Sequence, residues 1–438
     1  MSLILDTGLV EDISQLGPIS LFKRALKFSR STYLTGAQER VVAVGENSSI
    51  RIEKGLFSFD PQQKEYYDPS LTERLSHEHF LTAAIPFNPC IAFEVAIPLA
   101  AVVFPAEGPI QISCPQGRER VASALLHEIL RGRLVEQQIF SVTLDAKETE
   151  SSIEFRSRVV DAVEAIKTSS LEKVVLSKTS CLSGADLPGA DQILEQLARD
   201  RPDTYLFSTD NYVGASPELV VNRHNTTIAS YPLAGTAHAQ DEALLLHSVK
   251  DNEEHQIVVK QIMNRLAELG IDASSQAQPT LVRYNELVHL SSWISGTQGS
   301  PQPFTSIEVA AHLAPTAAIN GEPFDDAIKY ILCSEPIDRG FYGGLVGYQK
   351  QNGDGSWILN IRSVQITSDN LVLRAGAGVV ERSDPIKEDR EASAKINSIA
   401  SSLTERVREA PSFSRGEESK NINSKKHGNG RPANRSLS

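Results

Sequence analysis

Along much of this chain apolar and polar residues change over in short runs; elsewhere apolar residues recur at helical spacing. The run Cys90–Phe104 (CIAFEVAIPLAAVVF) reads as short buried strands or turns broken at Pro98. Ser123–Gln137 has the spacing of a helix. Lys173–Leu182 (KVVLSKTSCL), YLFSTD, GASPELVVNRH and Thr226–Thr236 read as short strands separated by turn residues. From Asp241 to Leu269 the apolar positions Leu244, Val249, Ile257, Val258, Ile262 and Leu266 predict a helix. GSWILNIRSVQI and Asn370–Val380 predict a hairpin that turns at Thr367–Asn370. A last helix is expected from Pro385 to about Arg408, since Ser-Asp-Pro suits a helix start. The pattern is that of a mixed α/β chain with no clean boundary inside 20–410.

Composition narrows this only a little. The chain has 438 residues, 40% of them hydrophobic and 22% charged, as in ordinary globular proteins. The net charge of -12, with no dense Lys/Arg run in a folded-looking segment, argues against a general nucleic-acid binder. Cys90, Cys114, Cys181 and Cys333 are far apart and form no CxxC. They predict buried free thiols in a reducing compartment rather than a disulfide framework or a zinc site. The first residues, MSLILDTGLVEDISQLG, lack the basic start and long apolar run of a signal peptide. No stretch reaches the roughly 20 apolar residues that span a bilayer. A cytoplasmic chain without membrane contact is the expectation. Residues 411–438 are rich in Ser, Asn, Gly and Lys/Arg and almost without apolar side chains, so they are expected to be a disordered basic tail after a domain of residues 1–410.

Candidate chemistry begins with acidic clusters. In KDNEEH (Lys250–His255) Asp251, Glu254 and His255 lie near one helix face; in KEDREASAK, Glu388 and Glu391 are three apart with Lys395 one turn on. Two helices each offering paired carboxylates suit a hard divalent cation bound through oxygen. Alone, each cluster reads first as a solvated helix face. Gly376 and Gly378, in an AGAG turn after a strand, would let backbone N–H groups approach an anion. Arg362, on an alternating strand, has the fork that grips a carboxylate, although a surface arginine is the plainer account. Lys173 enters a buried strand, where desolvation would lower its pKa toward base function unless it snorkels outward. Glu218, flanked by apolar residues, is either an exposed alternate position or an acid in a cleft, and His289 is either a site hydrogen-bonder or a core histidine.

The order of these segments adds what none carries singly. KVVLSK, GASPELVV, YPLAGTAHA, SVKDNEEHQIV, LVHLSS, LAPTAAINGEP, IDRGFYGGLVGY, LNIRS and LRAGAGVVERSDPIKEDREASAK together resemble the chorismate-utilising enzymes, which include isochorismate synthases, salicylate synthases and the amine-adding synthases. The resemblance runs over about residues 83–405, is strongest in 150–405, and includes AAIPFNP near its start. It implies one α/β (α+β) domain of two stacked antiparallel sheets flanked by helices, with the site in a cleft between them. It implies Mg²⁺ on Glu254 and Glu391 with Asp251 and Glu388 outside them, Lys173 as general base and Glu218 as general acid. It implies a grip on the substrate carboxylate by Arg362, Gly376 and Gly378, with Gly235, Thr236, His289, Tyr342 and Lys395 elsewhere in the pocket. Chorismate is the implied partner and a monomer or homodimer the implied assembly. Ala318, where salicylate synthases have threonine, sides with isochorismate synthase; salicylate synthase, an aminating relative, and an inactive chorismate-binding subunit are the alternatives. Ala314, Ala317, Lys178, Tyr348 and Ala392 depart from the usual pattern without removing a proposed ligand, base or acid. The pathway served, for a siderophore or another metabolite, is not legible in the residues.

Overall fold

A computed structural model of the chain describes residues 2–3, 6–52, 80–132, 145–184, 186–209, 211–284, 286–300 and 303–404. The expected tail and the segment 405–408 lie outside them. All strand pairings are antiparallel, and they join two sheets through one long strand, Phe93–Pro105. Its whole length pairs with Glu39–Ile52. From there one sheet continues through Ser31–Thr35, Tyr205–Thr209, Tyr212–Ser216, Ser363–Ile366, Leu371–Val379 and Lys173–Ser183. The other leaves through Phe80–Ile85 to Leu345–Lys350, Gly355–Leu359, Leu219–His224, Thr227–Tyr231, Ile294–Gln298 and Ile271–Ser275. Leu34, Val41, Val103 and Phe207 of the first sheet and Phe80, Val346, Tyr348 and Ile358 of the second make one apolar layer between them. Each such fully buried aliphatic side chain contributes on the order of 2 kcal/mol through the surface it hides from water. Helices cover the outer faces: Pro18–Ala25, Glu119–Arg131, Ala190–Asp200 and Pro385–Thr404 on one, Val249–Glu268 and Ser306–Leu313 on the other, while Phe324–Ser334 packs against the Lys173–Ser183 strand. The expected stacked antiparallel sheets flanked by helices are therefore present.

Several local expectations need correction. Cys90–Phe104 is not a set of short runs, because Pro98 is absorbed where the pairing register shifts between Glu46 and Ser48, a bulge that spares the missing N–H. The helix expected over Ser123–Gln137 starts earlier, at Glu119, and is described only to Arg131. Thr226–Thr236 is two strands in different sheets, parted at Pro232; Leu233–His238 pairs with Leu287–Ser291, which in turn pairs with Thr280–Tyr284, in a separate three-stranded sheet. The helix expected over Asp241–Leu269 breaks before Ser248, whose hydroxyl accepts from the Asp251 N–H and starts a new helix at Val249. Leu244 and Val249 consequently face solvent. Cys114 is buried, but Cys90 and Cys333 are exposed free thiols. The final helix begins as expected, with Pro385 in its first turn and the Asp384 carboxylate accepting from Ile386 and Lys387 N–H. No helix among the described residues is long and apolar enough to cross a membrane.

Candidate active site

The strands Lys173–Ser183 and Leu371–Val379 pair along nine residues, and most of their positions are buried on both faces. Such strands read as continuous apolar runs, so a polar side chain on them needs a reason to be there. Lys173 is the first residue of its strand and fully buried. Its Nζ lies 3.2 Å from Glu254 Oε1, an ion contact without a well-aligned hydrogen bond. Burial pushes the Lys173 pKa down, against the raising effect of Glu254. Glu218 sits in the link between Tyr212–Ser216 and Leu219–His224 and is 2% exposed, with Oε1 unpartnered. Desolvation lifts its pKa to about 8, despite a backbone donor at Leu233 and the nearby Lys173 and Lys395. At neutral pH it is a carboxylic acid.

Glycines 376 and 378 are not in a turn, as the sequence pattern had it, but within the strand, opposite Ser177 and Val175. Their role is clearance: a Cβ on Gly378 would collide with the Glu254 carboxylate. Arg362 is likewise not on a strand. It occupies the break between Gly355–Leu359 and Ser363–Ile366 in the left-handed region, with φ of 52°. That conformation is uncommon for a side chain with a Cβ, and here it goes with a guanidinium directed inward. Arg362 donates to Ser398 Oγ at 3.0 Å and to His289 Nε2 at 3.4 Å, and among the described residues has no carboxylate partner. Burial, then Arg201, lowers its pKa to about 10, so it remains a cation. Burial and the neighbouring Arg362 and Lys395 keep His289 neutral. Accepting at Nε2, it has Nδ1–H to donate to Thr236 Oγ1 at 2.9 Å.

The two acidic helices meet at their first turns. Lys250 Nζ stands among their carboxylates, 3.1 Å from Glu388, 3.4 Å from Glu254 and 3.8 Å from Asp251. Lys395 closes the group, 2.6 Å from Glu391 Oε1 and 3.0 Å from the Gly376 carbonyl. Although burial opposes it, Lys173, Lys250 and Lys395 together draw the Glu254 pKa down to about 2. Burial and then Glu391 lift Glu388 to about 7, and its Oε2 is buried without a partner. Among the described residues no three His, Cys, Asp or Glu side chains converge as a ready-made metal cage. The donor set is nonetheless all carboxylate oxygen, and Glu388 has a lone oxygen to give, which fits a hard divalent cation once the Lys250 ammonium moves aside.

A cleft connects these groups; the space between its walls, open solvent included, is about 600 Å³. Of the residues singled out in the sequence, Glu218, Gly235, Thr236, Glu254, His289, Ala318, Tyr342, Arg362, Gly376, Gly378, Glu391 and Lys395 line it. Lys173, Asp251 and Glu388 lie behind that wall. Sequence reasoning overlooked Lys250, although it stands inside KDNEEH four residues before Glu254, the spacing of a helical ion pair. It also overlooked Arg374, which lines the cleft and lies over the Tyr342 ring at 5.8 Å. Ile319, Leu359 and Ile361 supply apolar wall; nothing in the sequence separated them from other core positions.

The sequence model of the family described as chorismate binding enzyme matches residues 116–404. The chain belongs to that family. Isochorismate synthase DhbC of Bacillus subtilis (strain 168) is 35% identical over 265 residues, 56% of this chain and 66% of that protein. Isochorismate synthase EntC of Escherichia coli (strain K12) is 33% identical over 258 residues, again 56% of this chain and 66% of that protein. The alignments thus span slightly under two thirds of these relatives. The crystal structure of DhbC from Bacillus anthracis superposes with a TM-score of 0.72 at 26% identity, covering 87% of this chain and 99% of that one. The cleft accordingly lies within a chorismate-binding fold, and the resemblance first carried by the ordered motifs holds at the level of family.

Proposed function

We propose that this chain is an isochorismate synthase, converting chorismate to isochorismate by adding water at C2 with loss of the C4 hydroxyl. The observation that carries the reading is a pair of opposed pKa shifts at one site: Lys173, behind the cleft wall against Glu254, pushed down, and Glu218, on that wall, pushed up to about 8. A lysine that gives up its proton readily can take one from water, and a carboxyl that keeps its proton at neutral pH can give one to a departing hydroxyl. Chorismate carries two carboxylates. Arg362, without an anionic partner of its own among the described residues, suits one of them, with Gly376 and Gly378 allowing close approach along the strand. Mg²⁺ on Glu254 and Glu391, with Asp251 and Glu388 outside, would supply positive charge for the other carboxylate. His289, fixed by Thr236, holds the Arg362 guanidinium in place, and Tyr342 closes the wall. The names of the relatives and Ala318 in the loop favour isochorismate over an aminated product or salicylate.

Incubation of the purified chain with chorismate and Mg²⁺, followed by product chromatography, tests this directly. Isochorismate is expected. No turnover would sink the enzyme reading, and release of salicylate with pyruvate would overturn the product assignment.

A further inference from the structure

Gln261 belongs to none of the motifs in the sequence, yet its whole amide is spent on the loop that carries Ala318. It is 5% exposed and lies two turns beyond Glu254 on the same helix, hence on the same face. Its Oε1 accepts from the Ala317 N–H at 2.6 Å; its Nε2 donates to the Gly321 carbonyl at 3.1 Å and to Glu322 Oε2 at 2.6 Å. One side chain therefore spans both ends of the segment whose middle residues, Ala318 and Ile319, line the cleft. The far end of that segment is fastened to the base strand, with Val175 N–H donating to Asn320 O and Glu172 N–H to Glu322 O, both at 2.8 Å. Gly321 is pressed so close to the Lys173 carbonyl that a Cβ there would collide with it. The loop is thus registered against the Lys173 strand directly, and against the Glu254 helix through Gln261.

We propose that Gln261 is a positioning residue that sets the depth of Ala318 in the cleft and thereby substrate placement and product choice. This rests on the isochorismate reading above. Isochorismate loses pyruvate when its C3–O bond breaks, the C2 hydrogen passes to the enolpyruvyl methylene and the ring becomes aromatic, with no added reactant. A loop held at fixed depth keeps the ring from the folded arrangement that this transfer requires.

The test is a donor–acceptor exchange. Gln261→Glu keeps an acceptor for Ala317 N–H but sets a carboxylate against Glu322, and the double variant Gln261→Glu/Glu322→Gln returns a donor to that contact. Kinetics with chorismate and Mg²⁺, pyruvate release and melting temperature are read for wild type and both variants. The single variant is expected to lose about tenfold or more in kcat/KM, chiefly through KM, because small misplacements near a reacting centre are costly. Its share of turnover ending in pyruvate should rise. The double variant should recover part of both, since it restores the contact at 322 but not the donor to the Gly321 carbonyl, and a loss of fold alone would predict no recovery. Unchanged kinetics and pyruvate share in the single variant would overturn the proposal, as would failure of the folded double variant to recover. Wild-type chain that makes no isochorismate would instead refute the function proposed above.

Discussion

Glu218→Gln should damage activity and improve stability at once, and the two effects have separate causes. The carboxyl of Glu218 has a pKa near 8 in the fold because burial disfavours its charge, against 4.5 for an ordinary glutamate. Between those values the folded chain holds a proton that the unfolded chain releases. Folding therefore takes up a proton, and the wild type loses stability as pH rises from about 4.5 toward 8, with no further loss from this group above that. The shift corresponds to roughly 5 kcal/mol at about 1.4 kcal/mol per unit. Glutamine has the same shape, carries no charge and does not titrate. Urea unfolding should thus find the variant close to wild type at pH 5 and more stable by several kcal/mol at pH 8. Its turnover of chorismate should fall by about 10²–10⁴, the usual contribution of a positioned acid. In the wild type, kcat/KM should decline above about pH 8 as the acid loses its proton. A stability difference that is flat from pH 5 to pH 8 would show that Glu218 is ionised in the fold, and turnover within a few-fold of wild type would remove it as the acid.

Three further outcomes follow from the same geometry. Lys173→Met should cost about 10²–10⁴ in rate with the fold retained by circular dichroism, and undiminished turnover would eliminate the proposed base. Gly378→Ala places a methyl in the space of the Glu254 carboxylate, so calorimetric Mg²⁺ affinity should fall about tenfold or more; unchanged affinity would take Glu254 out of the metal site. Lys250→Met leaves Asp251, Glu254 and Glu388 without their shared cation. Thermal unfolding in EDTA should then show a loss on the order of 3 kcal/mol, largely restored by added Mg²⁺. Equal response to Mg²⁺ in variant and wild type would argue that Lys250 and the metal do not compete for those carboxylates.

What the sequence revealed and what it hid divide along the range of the interactions. The last helix start was legible because its signal is local: Asp384-Pro385 announces it from adjacent residues, whereas the starts at Glu119 and Val249 were misplaced. The long Phe93–Pro105 strand was not, because Pro98 breaks a strand unless a bulge in a distant partner receives it, and Glu39–Ile52 lies far off in the chain. Thr226–Thr236 was taken as one strand since its apolar spacing is continuous; only tertiary pairing sends Leu233–His238 into another sheet. Among site residues, the ordered motifs located the cleft-lining groups, whereas Gln261 and Arg374 needed coordinates, because glutamine on a helix and arginine on a strand are ordinary in sequence.

The positions that matter most are those where the chain departs from its own local rules. Lys173 is a cation on a strand buried on both faces, Glu218 an acid with an unpartnered oxygen, and Arg362 a non-glycine residue at φ of 52°. Each costs stability where it stands, and each persists because two sheets and their helices hold it. Lys173 is fully buried on a strand that continues with Val174, Val175 and Leu176, so burial alone gives no reason to keep an ammonium there. The proposed mechanism supplies one: a base that sheds its charge readily is useful only beside an acid that retains its proton, and desolvation acts on both. Burial is the common cause, acting with opposite sign on a cationic and an anionic group. On the proposed mechanism, burial alone would then prepare both the base and the acid.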